Sequence, residues 1–182
     1  MTTKYLVILA AAAAGWFVDP MLAFIILLSL GDAKIELAIE VNATDPQPNS
    51  GLAKNLKCWR ADPNKWYAKL WRCLLGSHKP MTAYHAWRLP TLIFFFHLPF
   101  FFGTPWTLAG EFKALFWFVL YGTLEDYLWF FLHPSYGVKG FISEGRAGKI
   151  YWMPKFFGPF PVDYYLALIP LVILKCLAVN FA

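Results

Sequence analysis

The sequence predicts an all-α integral membrane protein, a bundle of about four transmembrane helices with a cytoplasmic amphipathic segment. Hydrophobic residues make up 59% of the 182 residues, and aromatic residues make up 20%. Charged residues reach only 15%, against roughly 25% in a typical soluble domain. The apolar residues also form four long runs, each near the roughly 20 residues that a bilayer core requires. A chain of this length is expected to form one domain.

The first apolar run covers residues 5–31 and predicts one spanning helix. Asp19-Pro20 interrupts the run, and we expect a kink there because proline removes an intrahelical hydrogen bond. The beginning of the run also has the pattern of a secretory signal peptide, so cleavage of residues 1–14 is an alternative. The run continues well past such a cleavage point, which favours the spanning helix.

Residues 42–83 are predicted to form a cytoplasmic loop. A cluster of Pro, Asn and Ser residues opens it, which is typical of loops. Its later part, residues 52–80, places Trp and Leu at helical spacing between Lys and Arg residues. This pattern predicts an amphipathic helix that lies in the lipid headgroup layer. A cytoplasmic helix packed against the bundle is the alternative.

Three further spans complete the predicted bundle. They cover roughly residues 84–102, 112–133 and 160–181. Residues 103–111 form a short turn between the second and third spans, and residues 134–159 form a second cytoplasmic loop. Pro90 and Pro99 are expected to bend the second span.

The basic residues predict the orientation of the chain. The two stretches 32–83 and 134–159 carry most of them, namely Lys34, Lys54, Lys57, Arg60, Lys65, Lys69, Arg72, Lys79, Lys139, Arg146, Lys149 and Lys155. The opposite side carries Lys4 and Lys113. The positive-inside rule then places both loops in the cytoplasm and both termini on the non-cytoplasmic side, in a bacterial inner membrane or an equivalent membrane. Because topology explains the positive charge, we expect no nucleic-acid partner.

Two adjacent acids, Glu125 and Asp126, lie inside the third predicted span. At a rise of 1.5 Å per residue they fall about 12 Å from its inner end. An ionised carboxylate at that depth costs several kcal/mol unless it is paired, wetted or protonated, so the pair is a candidate for function. The alternatives are structural contacts with neighbouring helices and a proton or ion pathway through the two acids.

Other polar residues are predicted to converge on the level of this pair. His85 and Arg88 share one face near the inner end of the second span, and His85 matches the depth of Asp126. Asp126 and His133 share one face of the third span, with Trp129 between them. On the first helix, acids recur every four residues at Asp32, Glu36 and Glu40.

This convergence predicts a membrane-embedded enzyme that acts on a hydrophobic small molecule, such as a lipid or an isoprenoid-like substrate. The predicted catalytic residues are Asp126, Glu125 and His85. The predicted substrate-binding residues are Arg88, Trp129 and Trp87.

The same residue types also predict a divalent metal site. Mixed carboxylate and imidazole ligands suit Zn, Mn or Fe, and the predicted ligands are Asp126, His85, His133 and Glu36. No H-E-x-x-H, E-x-x-H or C-x-x-C motif occurs, so a metal-free acid–base site is the alternative.

A function of another class competes with the enzyme. The chain would then be a non-catalytic small subunit or assembly factor of a larger membrane complex, with other membrane subunits as partners. In that case the acids and Arg88 make polar contacts between helices, and the aromatic faces dock to partner helices.

Overall fold

The computed structural model describes residues 3–40, 61–75, 81, 83–134, 136–147, 150, 153 and 155–182. These residues are mostly helical. The helices are α1 (Thr3–Val18), α2 (Pro20–Glu40), α3 (Trp66–Leu75), α4 (Ala83–Phe96), α5 (Leu98–Phe101), α6 (Leu108–Leu132), α7 (Gly137–Arg146) and α8 (Val162–Asn180). Two short strands, β1 (Phe156–Phe157) and β2 (Phe160–Pro161), pair antiparallel between α7 and α8.

Among the described residues, two helices, α6 and α8, have the length and the apolar composition needed to cross a membrane. Helix α6 begins after Thr107, whose side chain caps it by accepting a hydrogen bond from Gly110 N at 3.0 Å. It ends at His133, which is extended (φ −56°, ψ 130°), because the following Pro134 disfavours helical geometry in the residue before it. The helical class predicted from the sequence is confirmed.

The first predicted span forms two helices instead of one kinked helix. Helix α1 ends at Val18, and α2 begins at Pro20, a first position where the missing N–H of proline costs nothing. The Asp19 carboxylate accepts a hydrogen bond from Met21 N at 2.8 Å and so caps α2. The single helix predicted over residues 5–31 is therefore replaced by two, because Asp19 and Pro20 together form a helix start.

Helices α1 and α2 run antiparallel as a hairpin. Gly15 lies so close to α2 that a Cβ atom there would be 3.3 Å from Leu22 Cγ. At the far end of the hairpin, Lys34 Nζ lies 5.8 Å from the centre of the Tyr5 ring. The chain therefore reverses direction at Asp19.

This reversal places the two ends of the chain near opposite ends of α6. Lys4 Nζ donates a hydrogen bond to Phe131 O at 2.7 Å, beside the last turn of α6. Phe181 packs on Phe112 in the first turns of α6, with ring centroids 5.7 Å apart. The sequence predicted both termini on the same side, and their sidedness relative to a membrane stays a prediction.

The second predicted span is also divided. Helix α4 ends at Phe96, His97 forms a turn, and the four-residue α5 follows with Pro99 in its first turn. Pro90 lies inside α4. Of the predicted cytoplasmic loop 42–83, the structure describes residues 61–75, 81 and 83, which include α3; the remainder lies outside the described residues.

Helix α6 lies at the centre of the bundle, where it packs against α2, α4, α7 and α8. One apolar cluster surrounds its last turns and includes Ile8, Ala33, Leu37, Trp129, Phe130 and Phe141. A second cluster surrounds its middle and includes Ile25, Leu92, Phe96, Trp117 and Tyr121. Leu124 packs against both clusters. The buried polar side chains described next lie at the level between them.

Candidate functional site

Polar side chains from α2, α4 and α6 meet inside the bundle. They are Asp32, Glu36, Tyr84, His85, Arg88, Tyr121 and Glu125, and we call them the three-helix polar cluster. The members lie four residues apart on α2 and on α6, and on α4 Tyr84 and His85 precede Arg88 by four and three residues; these spacings bring side chains to one face. Of the residues that the sequence predicts to converge, the structure brings together Asp32, Glu36, His85, Arg88 and Glu125.

Asp32 joins all three helices. Its side chain is 2% exposed, and both of its oxygens accept hydrogen bonds from the Arg88 guanidinium. Tyr121 donates a hydrogen bond to Asp32 Oδ2 at 2.5 Å. A carboxylate that accepts from a guanidinium forms a strong, charge-assisted interaction, so Asp32 fixes Arg88 in position.

Glu36 and His85 form a second buried contact, which we call the inner pair. His85 Nε2 lies 3.3 Å from Glu36 Oε1, and the two residues are 7% and 1% exposed. Trp71 of α3 covers the His85 ring at a centroid distance of 4.8 Å. A carboxylate beside one ring nitrogen orients the imidazole.

Glu125 and Asp126 face different neighbours. Glu125 is buried and accepts a hydrogen bond from Tyr84 of α4 at 3.4 Å. Asp126 accepts one from Tyr164 of α8 at 2.7 Å. Adjacent residues on a helix point about 100° apart, which explains the divergence. Of the three predicted catalytic residues, the structure thus brings Glu125 and His85 into one cluster and directs Asp126 towards α8.

The predicted substrate-binding residues lie in three different settings. Arg88 belongs to the three-helix polar cluster. Trp129 is 4% exposed and packs in the apolar core, with its ring 4.8 Å from that of His133. Trp87 is 80% exposed on the outer surface of α4.

The predicted metal ligands are not gathered into one centre. Among the residues that the structure describes, no group of three or more His, Cys, Asp or Glu side chains could hold a metal ion. Glu36 and His85 are paired, whereas Asp126 faces α8 and His133 lies beside Trp129. Asp126 and His133 do share a helix face, but seven residues span about 10 Å along the axis, too far for one ion. The side chain of Glu40 lies outside the described residues.

Sequence reasoning missed the tyrosines that bind the acids of the bundle. Tyr121, Tyr84 and Tyr164 donate hydrogen bonds to Asp32, Glu125 and Asp126 respectively. One signal was present in the sequence, because Tyr121 precedes Glu125 by four residues and so shares its helix face. The other two tyrosines face their acids across a helix contact, which spacing along the chain does not reveal.

A second His–carboxylate contact lies at the other end of α4, and we call His97 and Glu111 the outer pair. His97 Nε2 lies 3.0 Å from Glu111 Oε1, and the side chains are 22% and 25% exposed. Trp106 Nε1 also donates to Glu111 at 3.0 Å. The hydrogen bond with Glu111 raises the pKa of His97 above its usual 6.5, and the contact with Ile93 O at 2.6 Å acts in the same direction.

An apolar groove lies on α4 and α5 and reaches the outer pair at His97. Its volume is about 430 Å³, and it is lined by Leu89, Pro90, Ile93, Phe94, His97 and Phe101. Its first lining residue, Leu89, follows Arg88 in the chain and is rotated from it by about 100° on α4.

The chain matches no protein-family model, and no curated protein or solved structure is significantly similar to it. The functional conclusion therefore depends on the three-helix polar cluster and its surroundings.

Proposed function

We propose that this protein is a membrane-embedded enzyme that moves a proton to or from a hydrophobic substrate, with the inner pair as its acid–base group. The observation that carries the proposal is the contact of Glu36 with His85 Nε2 at 3.3 Å, with both residues buried. Histidine is the most common general acid or base, and a carboxylate at one ring nitrogen prepares the other for proton transfer. Burying such a pair costs free energy that an apolar pair would not, which favours a functional reason for it.

Arg88 supplies a positive charge beside the inner pair. It follows His85 by three residues on α4, and Asp32 holds its Nη2 atom. Among the described residues, the buried Arg88 Nε atom has no hydrogen-bond acceptor. A guanidinium that is fixed on one side and keeps donors on the other suits a phosphate or carboxylate group. We therefore propose that Arg88 binds the polar end of the substrate.

The apolar groove on α4 favours a hydrocarbon chain as the rest of the substrate. The groove extends from α4 to α5, and its lining is almost entirely apolar. An amphiphile could place its polar end at Arg88 and its chain in the groove. The proposed substrate class is thus a lipid or an isoprenoid-like molecule with an acidic headgroup.

We further propose that the chain resides in a bacterial inner membrane or an equivalent membrane. Helices α6 and α8 cross it, α2 and α4 pack on α6 as two further spans, and α1 is a fifth span that runs antiparallel to α2. Basic residues are concentrated in α3, in α7 and in the loop after α7. By the positive-inside rule, they favour a cytoplasmic location for the C-terminal end of α6. The N-terminus then faces the cytoplasm through Lys4, and the C-terminus faces the opposite side.

A non-catalytic subunit is the second candidate, and two observations favour it. Asp32, Glu125 and Asp126 each accept a hydrogen bond from a neighbouring helix, as a structural role requires. Helix α8 also exposes a broad apolar surface, with only 6% of its most apolar stretch buried. In a complex, that surface would contact partner helices through packing.

Amide variants separate the two candidates. Glu36→Gln keeps the size of the side chain and removes its charge, and Asp126→Asn makes the matched change at a carboxylate that faces α8. The lipids of cells that carry each variant are compared by mass spectrometry with those of cells that carry the unaltered chain or lack it. Detergent-purified protein is checked for thermal stability and for co-purifying subunits.

Cells that carry the unaltered chain and cells that lack it should differ in lipid composition. If the inner pair is catalytic, Glu36→Gln abolishes this difference without loss of folding, and Asp126→Asn retains it. If Glu36→Gln keeps full function, or if the chain changes no lipid and purifies with stable partners, the enzyme proposal is wrong and the subunit is favoured.

A further inference from the structure

Helix α3 presents three chemically different faces. Successive residues on a helix are rotated by about 100°, so its side chains divide into a face towards the bundle, an exposed apolar stripe and an exposed basic stripe. Lys69 N donates to Lys65 O at 3.0 Å, so the helical turn includes Lys65.

The first face packs on the bundle. Ala68 and Trp71 are 4% and 7% exposed, and the Trp71 ring covers His85. Ala61 N donates to Met81 O at 2.9 Å, so the two ends of segment 61–81 lie side by side. Helix α3 is therefore held next to the first turn of α4.

The second face is an apolar stripe that the bundle does not cover. Trp66 and Leu70 are 74% and 49% exposed, and Cys73 is exposed as well. These three residues are four and three apart, so they form one line along the helix. A line of exposed, large apolar side chains marks a surface that contacts another apolar surface, such as a membrane or a protein.

The third face is basic. It consists of Lys65, Lys69 and Arg72, which repeat at the same spacing and are rotated about 100° from the apolar stripe. Lys65 and Lys69 are exposed, and Arg72 donates to Pro63 O at 2.6 Å. Apolar and basic stripes side by side are the pattern of a helix that lies at a membrane surface.

We propose that α3 binds the surface of an anionic lipid leaflet. The apolar stripe enters the boundary between headgroups and acyl chains, where tryptophan is favoured, and the basic stripe contacts lipid phosphates. The position of α3 beside α4 makes this leaflet the surface within reach. The proposal holds for either candidate function, because it concerns the surface of α3 alone.

Cys73 allows a direct test, since it lies in the apolar stripe and is exposed. The full chain carrying Cys58→Ser and Cys176→Ser is labelled at Cys73 with an environment-sensitive fluorophore. It is reconstituted into nanodiscs of phosphatidylcholine, with or without phosphatidylglycerol. Quenching by a nitroxide at a shallow acyl position is compared with quenching by aqueous iodide.

We expect nitroxide quenching that increases with phosphatidylglycerol and decreases with added salt. Lys65→Gln and Lys69→Gln should each lower the ratio of bound to free α3 about fivefold in the anionic nanodiscs. Lys139→Gln, at an exposed lysine of α7, is the matched control and should leave the ratio unchanged. Efficient iodide quenching without nitroxide quenching in both lipids would overturn the proposal. Nitroxide quenching that changes neither with phosphatidylglycerol nor with either lysine substitution would overturn the proposed preference of α3 for anionic lipid.

Discussion

The two ends of α4 carry the same chemical pair in opposite surroundings. At the inner pair a histidine and a glutamate meet at 3.3 Å with almost no exposure, and at the outer pair they meet at 3.0 Å with about a quarter of each side chain exposed. In water such a pair contributes little, because solvent screens it. Inside an apolar bundle it is costly to bury and costly to break. Burial, and not distance, therefore distinguishes the candidate site from a surface contact.

The surroundings of the two pairs differ in the same way. The inner pair is accompanied by Asp32, Arg88 and Tyr121, which bond to one another across three helices. The outer pair has Trp106 as its further partner and lies where α4, α5 and α6 meet. A network that fixes several side chains at once can hold reactive groups in place, whereas an exposed pair stabilises only a local turn.

The largest expected effect follows from removing the carboxylate that anchors the inner network. Asp32→Ala should lower the free energy of unfolding by about 3 kcal/mol, because it leaves the Arg88 charge without its partner. Glu111→Ala makes the corresponding change at the outer pair and should cost less than about 1 kcal/mol. Thermal unfolding of both variants in detergent provides the measurement. Equal losses would remove the energetic difference between the two ends of α4.

The smallest expected effect concerns the response of the outer pair to pH. Because folding raises the pKa of His97, the pair stabilises the folded state fully below the unfolded pKa, and this contribution is lost as pH rises through the raised pKa. Its size should stay below about 1 kcal/mol because the pair is partly exposed. The difference in unfolding temperature between the unaltered chain and His97→Gln, measured across neutral pH, should shrink as pH increases. A difference that stays constant or grows would contradict the assigned protonation of His97.

The helical class and the level of the polar residues could be predicted from the sequence, since both depend on local composition and spacing. Asp32, Glu36, His85, Arg88 and Glu125 share helix faces that regular spacing reveals. The reversal at Asp19 was missed because an Asp-Pro pair is compatible with both a kink and a new helix.

Partners across helices were harder to predict. The sequence placed Asp126 at the depth of His85, but depth does not fix rotation about the helix axis. The observed rotation of α6 directs Glu125 to Tyr84 and Asp126 to Tyr164. That rotation follows from how α2, α4 and α8 pack around α6, which is information that no single helix carries.

The most direct test of the central claim exchanges one histidine at each end of α4. His85→Gln and His97→Gln remove the same imidazole from a buried pair and an exposed pair. Lipids from cells that carry each variant are quantified by mass spectrometry, beside the thermal stability of the purified proteins. We predict that His85→Gln eliminates the lipid change produced by the unaltered chain, while His97→Gln retains it. Retention of that change by a folded His85→Gln protein, or an equal loss in both variants, would contradict the assignment of acid–base chemistry to the inner pair.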